Sequence, residues 1–344
     1  ADEDKEGRQF VGRSGRALRD LLHKAGFSER DVRFNNTIRC HPPDNRTPVP
    51  TEMECCRGFI EEDIEKYKPL VVVGVGGVAL QSLKPHREGI LAWRGRLTPI
   101  QVGAYTCWFY PVLHPAFVLR SGKESDSNPM WHTTRLDFQR LREMIAVGMP
   151  TPVVHTPAQV IKGVEVLVEF DDVRRALRQF IKSPRMAIDL ETAAKPVRRE
   201  FSASVFHPQA PGTKILSAAL SNLERTVAFP LAWPGAWAQD ECEEIGRQFE
   251  KLLTTHSTKI AHNLPFELTW LNFFYGGKNL LSASKWDDTM AQAHALDERK
   301  GMLSLGTQTY LEFGLDIKKL GLVNVRALES EPLSKVLLYN GVDA

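Results

Sequence analysis

The chain has 344 residues, 42% of them hydrophobic and 25% charged, which excludes a disordered or collagen-like polypeptide and suggests two domains. A formal net charge of +2 permits a nucleic-acid partner without demanding one. The longest apolar run, Leu70 to Leu80, holds three glycines and is far shorter than the ~20 residues that cross a bilayer, and five cysteines are not a disulfide framework but point to free thiols or a metal site.

In chain order, the first half reads as α/β. Ser14 is placed to cap a helix whose apolar stripe is Leu18, Leu21, Leu22 and Ala25, with Gly26 as its stop. Val32 to Ile38 reads as extended, and a polar, proline-rich loop follows from His41 to Pro48. Thr51 and Glu54 fit a capping box opening a second helix. Leu70 to Val75 reads as a strand buried on both faces, Val78 to Leu83 as a short helix, Gln101 to Val112 as one aromatic-rich strand, and Thr133 to Val147 as a helix. Pro150, Pro152 and Pro157 mark the expected boundary, giving domains at 1–150 and 165–344 with a linker at 151–164.

The second half starts over. Asp171 to Ile181 reads as a helix, Arg185 to Leu190 as a strand ending in carboxylates, and Ile215 to Leu220 with Thr226 to Leu231 as a hairpin around Ser221-Asn222. Asp240 to Leu253 is an amphipathic helix, Lys259 to His262 a short strand, and Pro265 opens a further helix. Helices follow near Asp288 to Leu296, Ser304 to Phe313 and Pro332 to the end.

Two pairs of residues in this half carry chemistry. Asp189 and Glu191 are two apart on a strand, so both side chains point to one side. Tyr339 and Asp343 are four apart on a helix and share a face. Metal-assisted phosphodiester hydrolysis uses carboxylates converging on divalent ions in this way, with a nearby hydroxyl to orient water. Taken singly, Asp189 serves equally well as a cap and Glu267 as a helix-dipole acid. Taken in order, Asp189-Leu190-Glu191-Thr192, Asn263 through Phe266 to residue 267, and Tyr339-Asn340-Gly341-Val342-Asp343 resemble the proofreading 3′–5′ exonuclease domain of the DNA polymerase I family, a DEDD-type (DnaQ-like) enzyme of the tyrosine subclass. The resemblance covers about 165–344 and includes Asp288-Thr289-Met290 and Ser304-Leu305. It implies that Asp189, Glu191, Glu267 and Asp343 hold two divalent ions (Mg2+ or Mn2+), that Tyr339 orients the attacking water, and that Asn263 positions the strand end. One residue departs from the family: its second motif usually ends in Asp, and here Glu267 reaches one methylene further.

The first half carries Gly7 to Gly15 around Phe10, then Asn36-Thr37-Ile38-Arg39-Cys40-His41-Pro42-Pro43-Asp44-Asn45-Arg46-Thr47-Pro48, then Leu113-His114-Pro115 through Arg120. These segments resemble the family 4, iron–sulfur uracil-DNA glycosylases. That likeness implies base flipping into a pocket. Phe10 would stack the base, Asn36 read its edge and His114 support the departing uracil, with Arg120 and the Asn45-Arg46 loop meeting phosphate. Cys40 and Cys56 match two ligands of a four-iron four-sulfur cluster, whose other two are expected upstream of Ala1, as is the catalytic-acid stretch; Asp2, Glu3 and Asp4 match only the acidic run after it. Gly74-Val75-Gly76-Gly77-Val78-Ala79 has the form of a dinucleotide fingerprint. The acid expected about 20 residues on is absent from Trp93-Arg94-Gly95-Arg96, so the run is taken as a tight strand-to-helix turn.

The expectation is therefore an α/β chain: a parallel-sheet glycosylase-like domain, then a mixed-sheet ribonuclease H-like exonuclease domain. It is expected to hydrolyse DNA from single-stranded 3′ ends, with the first half binding DNA, uracil-containing DNA included, but lacking the acid for efficient glycosidic cleavage. It is expected to be a fragment of a cytoplasmic replication or repair protein of a bacterial cell or phage-infected host, with a polymerase domain downstream in cis, no membrane partner, and an iron–sulfur cluster only in the full-length parent. The alternatives are a catalytically weak DNA-tethering module, or a uracil-repair glycosylase in that parent. Metal-dependent nuclease activity separates the first of these from the exonuclease.

Overall fold

The computed structural model of the chain describes residues 3, 6–84, 89–193, 197–199, 202–205, 207–276, 280–299, 301–325 and 327–344; at 45, 197–199 and 202–205 it describes the backbone only. Two compact units result. One comprises Ala1–Val154, Arg299–Gly301 and Thr309–Leu315, the other His155–Glu298, Met302–Gln308 and Asp316–Ala344.

The first unit holds α1 (Arg13–Lys24), α2 (Pro50–Tyr67), β1 (Val71–Val75), α3 (Gly77–Leu83), β2 (Thr98–Val102), β3 (Tyr105–Val112), α4 (Pro115–Ser121) and α5 (Pro129–Val147). Ala17, Leu18, Leu21 and Leu22 are the buried stripe of α1 and pack with Tyr110, Val112, Trp131 and Phe138. The sheet order is β1-β3-β2, with β1 parallel and β2 antiparallel to β3. The sheet is thus mixed, not parallel as expected. The reason is local: residues 101–112 are not one strand but two, joined by the Gly103-Ala104 turn, and a link that short permits only an antiparallel pair. Val32 to Ile38 forms no strand. Side chains serve its polar groups instead: Asn35 Oδ1 accepts the Asn36 N–H, and Arg33 and Asn35 bond Asp63. The start of α2 also differs from expectation. Pro50 is its first residue, and the Glu52 carboxylate, not Glu54, accepts the N–H of Val49 at 2.9 Å.

The second unit holds β4 (Val164–Val166), α6 (Phe170–Phe180), β5 (Arg185–Ala193), β6 (Lys214–Ser221), β7 (Thr226–Pro230), α7 (Gln239–Leu253), β8 (Thr258–Ala261), α8 (Leu264–Tyr275), β9 (Lys285–Asp288), α9 (Thr289–Leu296) and α10 (Leu333–Asp343). Its six-stranded sheet runs β9-β8-β5-β6-β7-β4. β5 is parallel to β8 and antiparallel to β6, the mixed sheet that the exonuclease resemblance implies. One face is heavily apolar. Ile188, Leu190, Leu220, Val227 and Phe229 meet Leu177 and Phe180 of α6 and Ile245, Phe249 and Leu252 of α7. The other face carries small residues, Ala219 and Ala228, against which Leu337 of α10 packs. That face is where α10 can approach the centre of the sheet.

In the first unit Lys84 is 2% exposed. Its Nζ donates to Thr98 Oγ1 at 2.5 Å, Pro99 O at 3.1 Å and Tyr310 O at 2.8 Å. Burial pushes the ammonium from the ordinary 10.5 down to about 7. Between those values the unfolded chain holds the proton and the folded chain releases it, so Lys84 makes stability rise with pH through that window. Thermal melts should show this rise in the wild-type chain and a flatter profile in Lys84→Met; parallel profiles would show that the lysine stays charged in its cage of acceptors.

Candidate functional site

The alternation of β5 sends Met186, Ile188 and Leu190 into the core and Asp189 and Glu191 to the opposite face. The strand runs on to Ala193 with its register shifted between Glu191 and Thr192, so the two acids lie within the strand rather than at its end. α10 brings Asp343 to the same face. One carboxylate oxygen from each of Asp189, Glu191 and Asp343 lies within 4.8 Å of the others, the one such acidic, histidine or cysteine group among the described residues.

The cluster is held by two fully buried polar side chains, Ser217 and Asn340, and by a lysine on its solvent side. Ser217 of β6 stands opposite Glu191 and is fully buried. Its Oγ donates to Asn340 Oδ1 at 2.8 Å, and Asn340 Nδ2 donates to Asp189 Oδ2 at 2.8 Å. Lys318 Nζ donates to Asp343 Oδ2 and, at 2.8 Å, to the Tyr339 hydroxyl.

Electrostatics set these acids apart. Burial, then the charge of Asp343, raises Asp189; burial, then Asp189 and Asp343, raises Glu191. Burial also raises Asp343, against the opposing pull of Lys318. Glu267, in the first turn of α8, is 3% exposed and is raised by burial and then by Asp189 and Glu191. It lies within electrostatic reach of the cluster but is not one of the three converging residues. Asp343 Oδ1 and Glu267 Oε2 are buried with no hydrogen-bond partner among the described residues. Desolvated, mutually repelling carboxylates with open lone pairs are a donor set suited to a hard divalent ion. The residues therefore fit such an ion.

Asn263 is exposed, in the left-handed region at φ 71°, as the N-cap of α8. Its N–H and that of Leu264 donate to Asp288 at 3.1 and 3.2 Å, and Asp288 also accepts from Met290 N at 2.9 Å. One aspartate thus fixes the entrances of two helices. Sequence reasoning assigned no part to Lys318, Asn340 or Ser217. Asn340 lay inside the quoted motif and, three residues before Asp343 on a helix, could have been placed beside it. Ser217 and Lys318 carry no motif.

In the first unit Phe10 has φ 58°, donates its N–H to Glu3 Oε1 at 2.6 Å, and sets its ring 5.1 Å from that of Phe34. Asp2 and Asp4 lie outside the described residues, as does the side chain of Asn45. Asn36 lines a cavity of about 410 Å³ with Gln9, Arg33, Asn35, Arg39 and Asp63. Arg33 grips Asp63 through two bonds of 2.9 and 2.8 Å and, with Asn35, holds its carboxyl below the usual range. His114 is the N-cap of α4. Its Nδ1 accepts the N–H of Ala116 at 3.1 Å, so the proton of the neutral ring sits on Nε2. Burial, then Arg120, lowers its pKa. The Gly-rich turn fits against this histidine: Gly76 has φ 90°, donates its N–H to Val112 O, and would bring a Cβ to 2.8 Å from His114 Cβ. Arg120 is exposed on α4. Arg46 is tied to the first turn of α2 by two bonds to Glu52 at 2.8 and 2.6 Å. All five cysteines are free thiols, Cys40 exposed and Cys56 half-buried, with Cys56 Sγ 3.5 Å from Arg39 N.

Residues 1–136 match the family model of the uracil DNA glycosylase superfamily. A type-4 uracil-DNA glycosylase of Thermotoga maritima is 36% identical over 152 residues, 42% of this chain and 72% of that enzyme. A DNA polymerase of Bacillus phage SP01 is 24% identical over 309 residues; the match takes in 86% of this chain and 31% of the polymerase. Among solved structures, Escherichia coli RNase D, an exoribonuclease involved in structured RNA processing, superposes with a TM-score of 0.37 at 11% identity, covering 53% of this chain and 41% of its own.

The Ser217–Asn340–Asp189 chain makes a stability prediction. Asn340→Ala leaves a buried hydroxyl and a buried carboxylate oxygen unpaired and should lower unfolding free energy by about 1–3 kcal/mol, with a smaller loss for Ser217→Ala. Urea titration reads both; an unchanged midpoint for Asn340→Ala would deny the chain any part in holding the site.

Proposed function

Because the chain belongs to the uracil-DNA glycosylase superfamily through its N-terminal residues, and because half-buried carboxylates converge in its second unit, we propose that it joins a uracil-DNA-binding unit to a metal-dependent 3′–5′ exodeoxyribonuclease. The convergence of Asp189, Glu191 and Asp343 within 4.8 Å carries the nuclease reading. The likeness to a phage DNA polymerase supports DNA as substrate and a place within a replicating polymerase chain.

Divalent ions bound here supply Lewis acidity and an activated water for in-line displacement at phosphorus. Asp189, Glu191 and Asp343 would hold them, and Glu267 would join from the first turn of α8. Asn340 fixes the Asp189 oxygen it bonds, so that carboxylate keeps one orientation. Tyr339, its hydroxyl held by Lys318, would orient the attacking water. Asn263, exposed at the mouth of α8, would meet the strand end.

In the first unit the cavity beside Asn36 would take a flipped uracil; Phe10 and His114 are not among its lining residues, and on the resemblance they would stack the base and donate to it through the His114 Nε2–H. Arg120 would meet phosphate from the surface of α4.

With a 5′-labelled single strand and Mn2+ or Mg2+, the purified chain should give a ladder shortening from the 3′ end. Chelator should abolish it, and Asp189→Ala should slow it roughly a hundredfold or more. Absence of a ladder under all metals would sink the nuclease and leave the tethering module. Separately, fluorescence anisotropy in chelator should show tighter binding to a uracil-containing strand than to its thymine counterpart, with the preference falling about tenfold in Asn36→Ala. Equal binding of both strands would remove uracil from the account.

A further inference from the structure

The carboxylate cluster comes with a cation of the chain's own. Lys318 lies in the short turn Ile317–Leu320, and its Nζ donates both to Asp343 Oδ2 and to the Tyr339 hydroxyl, 4.8 Å from the Tyr339 ring centre. The approach is built into the fold. Asp316 Oδ1 accepts the Lys318 N–H at 3.1 Å, which fixes the backbone of the turn. A Cβ on Gly306 would fall 2.5 Å from Asp316 Oδ1 and 2.9 Å from Lys318 Cγ, so only glycine leaves the lysine stem its path. The two ends of the ion pair differ in setting: the Asp343 side chain is 3% exposed and that of Lys318 is 41% exposed. The lysine reaches the acid from the solvent side and can withdraw without opening the core.

We propose that Lys318 is a resident counter-ion: it keeps Asp343 and Tyr339 in place while no divalent ion is bound, and gives up Asp343 Oδ2 when one arrives. The inference rests on the reading of the cluster as a divalent-ion site. An ammonium neutralises one charge and bonds one carboxylate oxygen, whereas a divalent ion draws oxygens from several carboxylates at once. Three carboxylates within 4.8 Å therefore leave the lysine outmatched once such an ion is present. Until then it is the ammonium that offsets their repulsion. Its two effects oppose one another. It stabilises the metal-free chain, and it weakens metal binding because its positive charge repels an incoming cation and it holds Asp343 Oδ2, one of the oxygens such an ion draws on.

The test uses the full chain and Mn2+ alone, followed by electron paramagnetic resonance, beside thermal melts in chelator. Lys318→Met should bind Mn2+ about tenfold more tightly than wild type and should melt lower in chelator. Lys318→Arg should behave as wild type in both. Asp189→Ala reports whether Mn2+ sits at the cluster. If wild-type binding depends on Asp189 but Lys318→Met leaves affinity unchanged, the counter-ion role is overturned and the metal reading stands. If neither wild type nor Lys318→Met shows Asp189-dependent binding, the metal reading fails and the inference falls with it. Loss of folding in Lys318→Met that Mn2+ restores is the strong form of the expected result; loss that Mn2+ does not restore overturns it.

Discussion

Three carboxylates cannot be drawn together out of water unless something else in the fold compels them. Here the compulsion comes from the reverse side of the same strand. Every residue that aims Asp189 and Glu191 at α10 alternates with one that anchors β5 in the apolar layer, where Ile188 and Leu190 pack beneath α6 and α7. To relieve the repulsion by turning the strand over would expose that layer, so the acids are held in an unfavourable arrangement by apolar burial they do not themselves contribute to. α10 works the same way. Val336 and Leu337 dock it on the sheet, and Tyr339, Asn340 and Asp343 follow on the turn that reaches the acids.

Raised pKa values alone do not separate this site from ordinary structure. Asp137 is also fully buried and also raised, yet Arg94 bonds both of its oxygens, at 2.8 and 2.5 Å. It is a closed ion pair. Asp63 is the opposite limit, lowered because Arg33 and Asn35 sit on it. Among the described residues, the raised state and open lone pairs combine only in the second unit, at Asp343 Oδ1 and Glu267 Oε2. That combination leaves unmet binding capacity, and it is the physical ground for reading these acids as a site rather than as a strained piece of framework.

The legible residues were those whose placement follows from the period of their own element. Asp189 and Glu191 needed only a strand, and Tyr339 and Asp343 only a helix. Residues that meet through tertiary contact left no such trace. Lys318 sits next to Lys319 in a short turn, and nothing local says which cation turns inward. Ser217 became visible only once β6 was registered against β5. The Gly103-Ala104 turn was missed because the aromatic run after it and the apolar residues before it read as one extended segment, although two residues suffice to reverse a chain. β9 was missed because its Asp287-Asp288 end breaks the expected alternation; Asp288 is there to accept backbone N–H groups at the starts of α8 and α9.

Glu267 shows where the motif and the geometry part. A glutamate in the place of the family's usual aspartate carries its carboxylate one methylene further from the backbone, and the start of α8 is itself pinned by Asp288. The extra length therefore cannot be taken up by shifting the helix; it must be taken up by the side chain. What results is a carboxylate that feels Asp189 and Glu191 electrostatically, keeps one oxygen unbonded, and stays outside the group of three. Three acids are thus fixed by β5 and α10, and the fourth hangs from the pinned start of α8 by an arm one methylene longer. Charge compensation follows the same division. Lys318 and Asn340 both act on the fixed trio, yet one oxygen of that trio, Asp343 Oδ1, stays open, as Glu267 Oε2 does on α8.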